Sequence, residues 1–480
     1  MTSGTAAALT ALVLVAGCRQ TKADQAKQPG SPADVPCVPE LPGAEYHCGE
    51  LVVPESRDSL GGRSGPRSIT LPFVVLPATR MPRQPDPIIY LTGGPGTSAF
   101  AGLLQVAAYQ QAGSDRDFIV MEERGNGYST PALTCDNLGL PRADTIAAKL
   151  VACRDSLTRS GIDLGKYGVL QAAADYLDLA RAVGAERINL YALSSGARSA
   201  LELMRTNPGK VRAVVLDSPD PGTAESRIAH AGGALDALSR LLAACRADPA
   251  CRRAYPDARE QFVQVVSALE RRPASFANET ITSDRFFEMV AGALSDQAKL
   301  GGIPGGLAAA SRGDWATASR LLQRGADVPE GLDMSRLHAA GRALVLECGD
   351  DSAPISAFET EEQWPASVAG LALGLVRADA SRCSAWAGPA AAAPRNREVV
   401  TRVPTLVMAG ANDPTTPPSL ANVVATSLPR ATLIVPPATA LEALRQSCPR
   451  AVMRAFLANP AAPPDRACID SMLPIEFEVP

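Results

Sequence analysis

The chain is 480 residues long, more than one ordinary domain, and 46% of its residues are hydrophobic, ample for a packed core. Acidic and basic side chains nearly cancel, with 50 Asp and Glu against 46 Lys and Arg and a formal net charge of -4. That balance excludes the strongly basic footprint of a nucleic-acid binder.

The first apolar run, Ala6 to Ala16, is too short to span a bilayer as a stable helix. It ends in Leu14-Val15-Ala16-Gly17-Cys18, which resembles the lipobox of bacterial lipoproteins. The resemblance implies that residues 1–18 are a signal peptide ending at Cys18, and that the Cys18 thiol is lipidated after cleavage. No Lys or Arg precedes the run, a departure from the usual basic n-region. Residues 19–36, polar and rich in Pro, Gln, Lys and Ala, read as a flexible tether. The protein is therefore expected in the bacterial cell envelope, touching membrane through a lipid anchor only.

Leu51 to Pro54 and Ile69 to Leu76 read as short strands joined by a glycine-rich turn. Further strands are predicted at 87–91, 117–121, 187–191 and 211–216. Helical spacing appears over 170–184, and a helix follows directly from Ser195 to about Asn207. Strands without polar alternation, separated by helices, indicate a mostly parallel sheet covered on both faces. From 220 to 398 helical segments dominate, including 226–246, 257–271, 284–297 and 314–323. Strand patterns return at 403–408 and 431–435, before a helix over 448–458. The expected architecture is an α/β core formed by residues 37–219 and 399–480, interrupted by a helical cap at 220–398.

The chain has 11 Cys. With Cys18 set aside for lipid, the others fall in close couples: Cys37/Cys48, Cys135/Cys153, Cys245/Cys251, Cys348/Cys383 and Cys448/Cys468. Five local disulfides are the simplest reading, suited to an oxidising compartment, although spacing alone does not fix connectivity. Zinc is disfavoured, because no C-x-x-C occurs and the chain holds three His. No cofactor is expected.

Tyr191-Ala192-Leu193-Ser194-Ser195-Gly196 places a Ser between a strand and a helix, with small residues two before and two after it. That is the pattern of a nucleophile elbow, whose strained turn and close backbone packing need small flanks. Framing the motif on Ser195 would put Leu193 at a position that must be small, so Ser194 is the candidate. Thr92-Gly93-Gly94-Pro95-Gly96 after a strand is a loop whose N–H groups can approach a developing oxyanion. These two motifs occur in fixed order with Glu123-Arg124-Gly125-Asn126-Gly127-Tyr128-Ser129 and with Gly410-Ala411-Asn412-Asp413-Pro414.

Together the four motifs resemble the proline iminopeptidase and tripeptidyl aminopeptidase branch of the α/β-hydrolases, in its exported, disulfide-bearing form, over about residues 37–475. The resemblance implies an α/β-hydrolase fold with an inserted helical cap. It implies Ser194 as nucleophile, Asp413 as triad acid, and the N–H groups of Gly94 and Ser195 as oxyanion hole. The cap would shape a pocket for the N-terminal part of a peptide, so the expected partner is a peptide or small-molecule substrate.

One element departs from the family. Its catalytic His sits in a Gly-His-Gly type loop after the last strand. Here that loop reads Val435-Pro436-Pro437-Ala438-Thr439-Ala440-Leu441-Glu442-Ala443, and no His follows His338. Glu442, His230 and His338 are the titratable groups that could substitute. Two functions stay open: a serine hydrolase of the aminopeptidase type with impaired or altered catalysis, or an inactive relative that binds peptides or another ligand in the old pocket.

Overall fold

The computed structural model describes residues 33–34 and 45–480 except 58–66, 112, 136–142, 324–331, 350–359, 361 and 387–398. Cys18, with the signal segment around it, and Cys37 lie outside the described residues.

The sheet strands are β1 (Ala33–Asp34), β2 (His47–Pro54), β3 (Ser68–Leu76), β4 (Ile88–Leu91), β5 (Phe118–Met121), β6 (Ile188–Leu193) and β7 (Val211–Asp217). After a short hairpin of β8 (Ala274–Phe276) and β9 (Glu279–Ile281) come β10 (Thr405–Met408) and β11 (Ala431–Ile434). The nine-stranded sheet runs β1-β2-β3-β5-β4-β6-β7-β10-β11. Pairing is antiparallel from β1 to β5 and parallel from β5 through β4, β6, β7 and β10 to β11.

Side chains leave a strand with period two, and the burial follows that rule. Ile188, Leu190 and Ala192 join one cluster with Val214 and Leu216, beneath the helices Val169–Ala182, Gly196–Thr206 and Pro418–Ser427. Tyr191 and Leu193 join the opposite cluster with Ala213 and Val215, beneath the helices Leu103–Gln111 and Ser447–Ala458. Every residue of β4, β5, β6 and β10 is buried. That is why these segments read as continuous apolar runs without alternation.

The described residues of 224–386 are chiefly helical and have a core of their own, centred on Leu235, Leu238, Phe262, Phe286 and Leu307. The long helix Ala224–Ala247 leans on the loop after β10, where Arg240 Nε donates to Ala411 O at 2.7 Å. A Cβ on Gly233 of that helix would stand 2.5 Å from Pro414 O, so the approach needs glycine.

Two elements add to the expected architecture. Within the stretch read as a tether, β1 pairs with the outer edge of β2 (Ala33 with Glu50). The helical region also holds the β8–β9 hairpin. Its turn residues Ala277 and Asn278 have φ of 49° and 65°, the doubly left-handed geometry of a two-residue hairpin turn. Ala at the first turn position hid that signal.

Four Cys couples are disulfide-bonded: Cys135–Cys153, Cys245–Cys251, Cys348–Cys383 and Cys448–Cys468, with Cα separations of 5.6, 5.2, 5.0 and 5.8 Å. Cys48 is also disulfide-bonded. Among the described residues no helix is long and apolar enough to cross a membrane.

Candidate active site

Ser194 follows β6 directly and precedes the helix Gly196–Thr206. Its φ is 47°, left-handed backbone that a residue with a side chain adopts at a cost. The turn is held because Ser194 N donates to Asp217 O at 3.0 Å, while Ala197 N and Asp220 N donate to Ser194 O. Gly196 is required by packing: a Cβ there would lie 2.4 Å from Leu91 O and 2.7 Å from Thr92 O. The serine itself is half-buried.

The glycine-rich loop passes over this turn. A Cβ on Gly93 would meet Ser194 Cβ at 2.9 Å, and Gly94 takes a φ of 71° that suits glycine alone. Thr97 N closes the loop onto Gly94 O at 2.8 Å. Glu122 holds the far end, accepting from Ser98 Oγ at 2.6 Å and from Ala99 N at 3.0 Å. Complete burial pushes the Glu122 carboxyl up to about 7. Asn126 Nδ2 donates to Thr97 O at 2.8 Å. The Glu123-Arg124-Gly125-Asn126 motif therefore braces the loop from below. Arg124, fully buried, grips Asp175 with two bonds of 2.6 Å and donates to Glu55 O and Lys166 O. Glu123 pairs with the buried Arg342 at 3.1 Å.

Asp413 follows β10 on the same sheet edge and is fully buried. It accepts from Thr415 N and Thr416 N, both at 2.9 Å, and from Thr416 Oγ1 at 2.8 Å. Burial nonetheless raises its pKa above the usual carboxylate value.

The loop 436–443 lies between the Asp413 turn and the end of β7. Ala411 N donates to Pro436 O and Asn412 N to Thr439 O. A Cβ on Gly410 would stand 2.0 Å from Ala440 O and 2.5 Å from Thr439 O. From the helical region, Gln297 bonds Ala438 O and Ala440 N, both at 2.9 Å, and Ala440 packs into that region's core with no exposure. At the loop's end Ala443 N and Leu444 N donate to the carboxylate of Asp217 at 2.9 and 3.0 Å. Asp217 is pushed up to about 7, first by burial and further by the charges of Glu442 and Asp413.

The three candidate substitutes for an imidazole stand as follows. Glu442 is left-handed at φ 61°, and its carboxylate is bonded to Arg445, which occupies the group that would have to act as base. His338 pairs by backbone with Thr97 beside the glycine loop, and its ring is lowered in pKa by partial burial. His230 lies on the helix Ala224–Ala247; its Nε2 is buried without a hydrogen-bond partner, and its charge helps hold Asp220 below the usual carboxylate range. Asp220 is bonded to Arg198 at 2.6 Å.

Sequence reasoning missed Glu122, Asp217 and Asp220. Each adjoins a recognised element, at the first residue after β5, the last of β7 and just beyond it, but their importance comes from burial rather than from any local pattern.

A strand-turn-helix serine at the carboxyl edge of a mostly parallel sheet, with a glycine loop above it and a buried acid two strands further on, is the arrangement of the α/β-hydrolase fold, and the chain has that fold. Residues 86–254 match the family described as alpha/beta hydrolase fold, and residues 372–468 match the TAP-like protein family. The chain is 26% identical over 282 residues to Serine protease Hip1 of Mycobacterium tuberculosis and to that of Mycobacterium bovis. That alignment covers 51% of this chain and 52% of the relative, so the chain spans about half the length of the curated relatives it matches. Among solved structures, a thermophilic esterase from Thermogutta terrifontis is 16% identical, with 83% of this chain and 97% of that one covered and a TM-score of 0.35. An alpha/beta hydrolase fold protein from Chitinophaga pinensis is 13% identical, with 82% and 94% covered and a TM-score of 0.38.

Proposed function

We propose that the chain is a cell-envelope serine hydrolase of the aminopeptidase type, acting on peptide or related amide and ester bonds with impaired catalysis. Ser194 serves as nucleophile, Asp413 as triad acid, and the N–H groups of Gly94 and Ser195 as oxyanion hole. The core comprises residues 37–219 and 399–480, with residues 220–398 as the cap over the site. The observation that carries this reading is the strained φ of Ser194, kept at 47° at a strand-to-helix turn. Strain of that kind persists where surrounding structure enforces it, and it presents the hydroxyl above the sheet edge. Impairment follows from the loop 436–443, which packs against the Asp413 turn without an imidazole. Losing a triad His costs up to about 10⁶-fold, while the oxyanion hole and binding alone leave about 10³–10⁴ over water. Location in the envelope is supported by the disulfides, which reducing cytosol does not sustain in most organisms. The lipobox-like segment assigns the anchor to Cys18.

A serine-directed fluorophosphonate is expected to label Ser194 in the wild type and to label nothing in Ser194→Ala. Restoring an imidazole by Ala440→His, with Gly at 439 and 441, is expected to raise turnover of aminoacyl amide substrates by about 10²–10⁴-fold. The altered loop favours a second reading, a peptide-binding relative without catalysis. Absence of labelling, with saturable peptide binding, would replace the first reading by the second.

A further inference from the structure

The opposite end of the sheet carries a second cavity, of about 260 Å³. Its floor includes Ile88 and Phe118, the first residues of β4 and β5, which are paired in register. Ser194 follows the last residue of β6, so the cavity and the serine stand at opposite ends of the parallel strands. Met453 and Leu457 of the helix Ser447–Ala458 complete an apolar wall.

The polar residues lining this apolar space differ in how they are partnered. Arg80 and Arg454 line it, and among the described residues neither forms an ion pair. Burial and the like charges of Arg80 and Arg450 pull the Arg454 guanidinium below its usual pKa, so its neighbours oppose its charge. The one lining carboxylate, Asp115, is taken by Arg116 Nη1 at 2.7 Å. Gln110 is buried, and its Nε2 donates to the carbonyls of Leu76 at 3.0 Å, Pro77, and Arg116 at 2.9 Å. Those bonds fix the amide's orientation and leave Oε1 buried with no partner.

We propose that this cavity binds a small molecule with an apolar body, one carboxylate and no ammonium to oppose the two guanidinium groups, the chemistry of an N-acylated apolar amino acid. The carboxylate lies between Arg80 and Arg454 and relieves their repulsion, while the apolar side chain covers Ile88, Phe118 and Leu457. The volume sits just below the range of about 300–1,000 Å³ typical of drug-sized ligands, which suits one residue rather than a long chain. The site is independent of the reading of Ser194 as nucleophile.

N-acetyl-L-leucine titrated into the full protein, followed by calorimetry or ligand-observed NMR, is expected to bind saturably. Affinity is expected to fall at least tenfold for the uncharged N-acetyl-L-leucinamide and at least tenfold in Arg454→Gln or Arg80→Gln. Both arginines are partly or largely exposed, so these variants keep the fold, which an unchanged unfolding midpoint verifies. Ser194→Ala is expected to bind as the wild type does. Absent saturation, equal affinity for acid and amide, or binding lost in Ser194→Ala but kept in Arg454→Gln would each overturn the proposal.

Discussion

The left-handed φ of 47° at Ser194 is a local cost kept by the turn around it. For an L residue that conformation costs about 1–2 kcal/mol, which glycine avoids at the expense of unfolded-state entropy. Ser194→Gly is therefore expected to unfold at a higher temperature than Ser194→Ala, since alanine keeps the strain and glycine removes it. Equal midpoints would show the turn to be unstrained. Two buried acids set a second expectation. Glu122 and Asp217 are both pushed up to about 7 by burial. In the unfolded chain each ionises near about pH 4. Between those values the folded state holds more protons, so these groups make stability fall as pH rises from about 4 to about 7. The slope is at most about 1.4 kcal/mol per pH unit for each group. Glu122→Gln and Asp217→Asn are expected to flatten the decline in unfolding midpoint between pH 5 and pH 8. A wild-type profile as flat as the variants' would refute the burial argument.

Among the elements, the loop after β11 depends most on its neighbours. It takes hydrogen bonds from the Asp413 turn, from Gln297 and onto Asp217, and it rests its carbonyls on Gly410. Gly410→Ala would drive a methyl to 2.0 Å from Ala440 O. Because a backbone atom cannot move aside as a side chain can, the cost is expected at about 1–3 kcal/mol, read as a lower denaturation midpoint. The sheet itself was legible in the sequence, since β4 to β7 and β10 are buried on both faces and so carry unbroken apolar runs. The elbow serine, the glycine loop and Asp413 could be found because each adjoins a strand end with a distinctive turn sequence. What holds them was not legible. Glu122, Asp217 and Arg342 matter through burial and through partners far along the chain, as with Arg342 and Glu123. The helix Leu103–Gln111 went unread because its apolar residues lack a clear amphipathic stripe. No local pattern encodes such contacts.

For the whole molecule, the disulfides are local, Cys245–Cys251 and Cys348–Cys383 within the helical region and Cys135–Cys153 and Cys448–Cys468 within the core. Cys348–Cys383 joins the helix Ala366–Trp386 to the residue after Ala340–Glu347, and it packs with Cys135–Cys153 in one small apolar cluster. It closes a loop of 35 residues. By chain entropy alone, removing such a cross-link costs about 3–4 kcal/mol. The double variant Cys348→Ser, Cys383→Ser is expected to unfold at a lower temperature, and an unchanged midpoint would show that the unfolded chain is already restricted there. The seating of Ala440 limits what the loop can accept. Its carbonyl rests on Gly410, its N–H is held by Gln297, and its methyl fills the neighbouring core. A histidine introduced alone would overpack that core and forfeit stability before any proton could be transferred. Flanking glycines introduced alone would loosen the loop with no gain. A histidine at 440 is therefore reached only by changing several residues together, because every single substitution on the way loses packing that the loop now has.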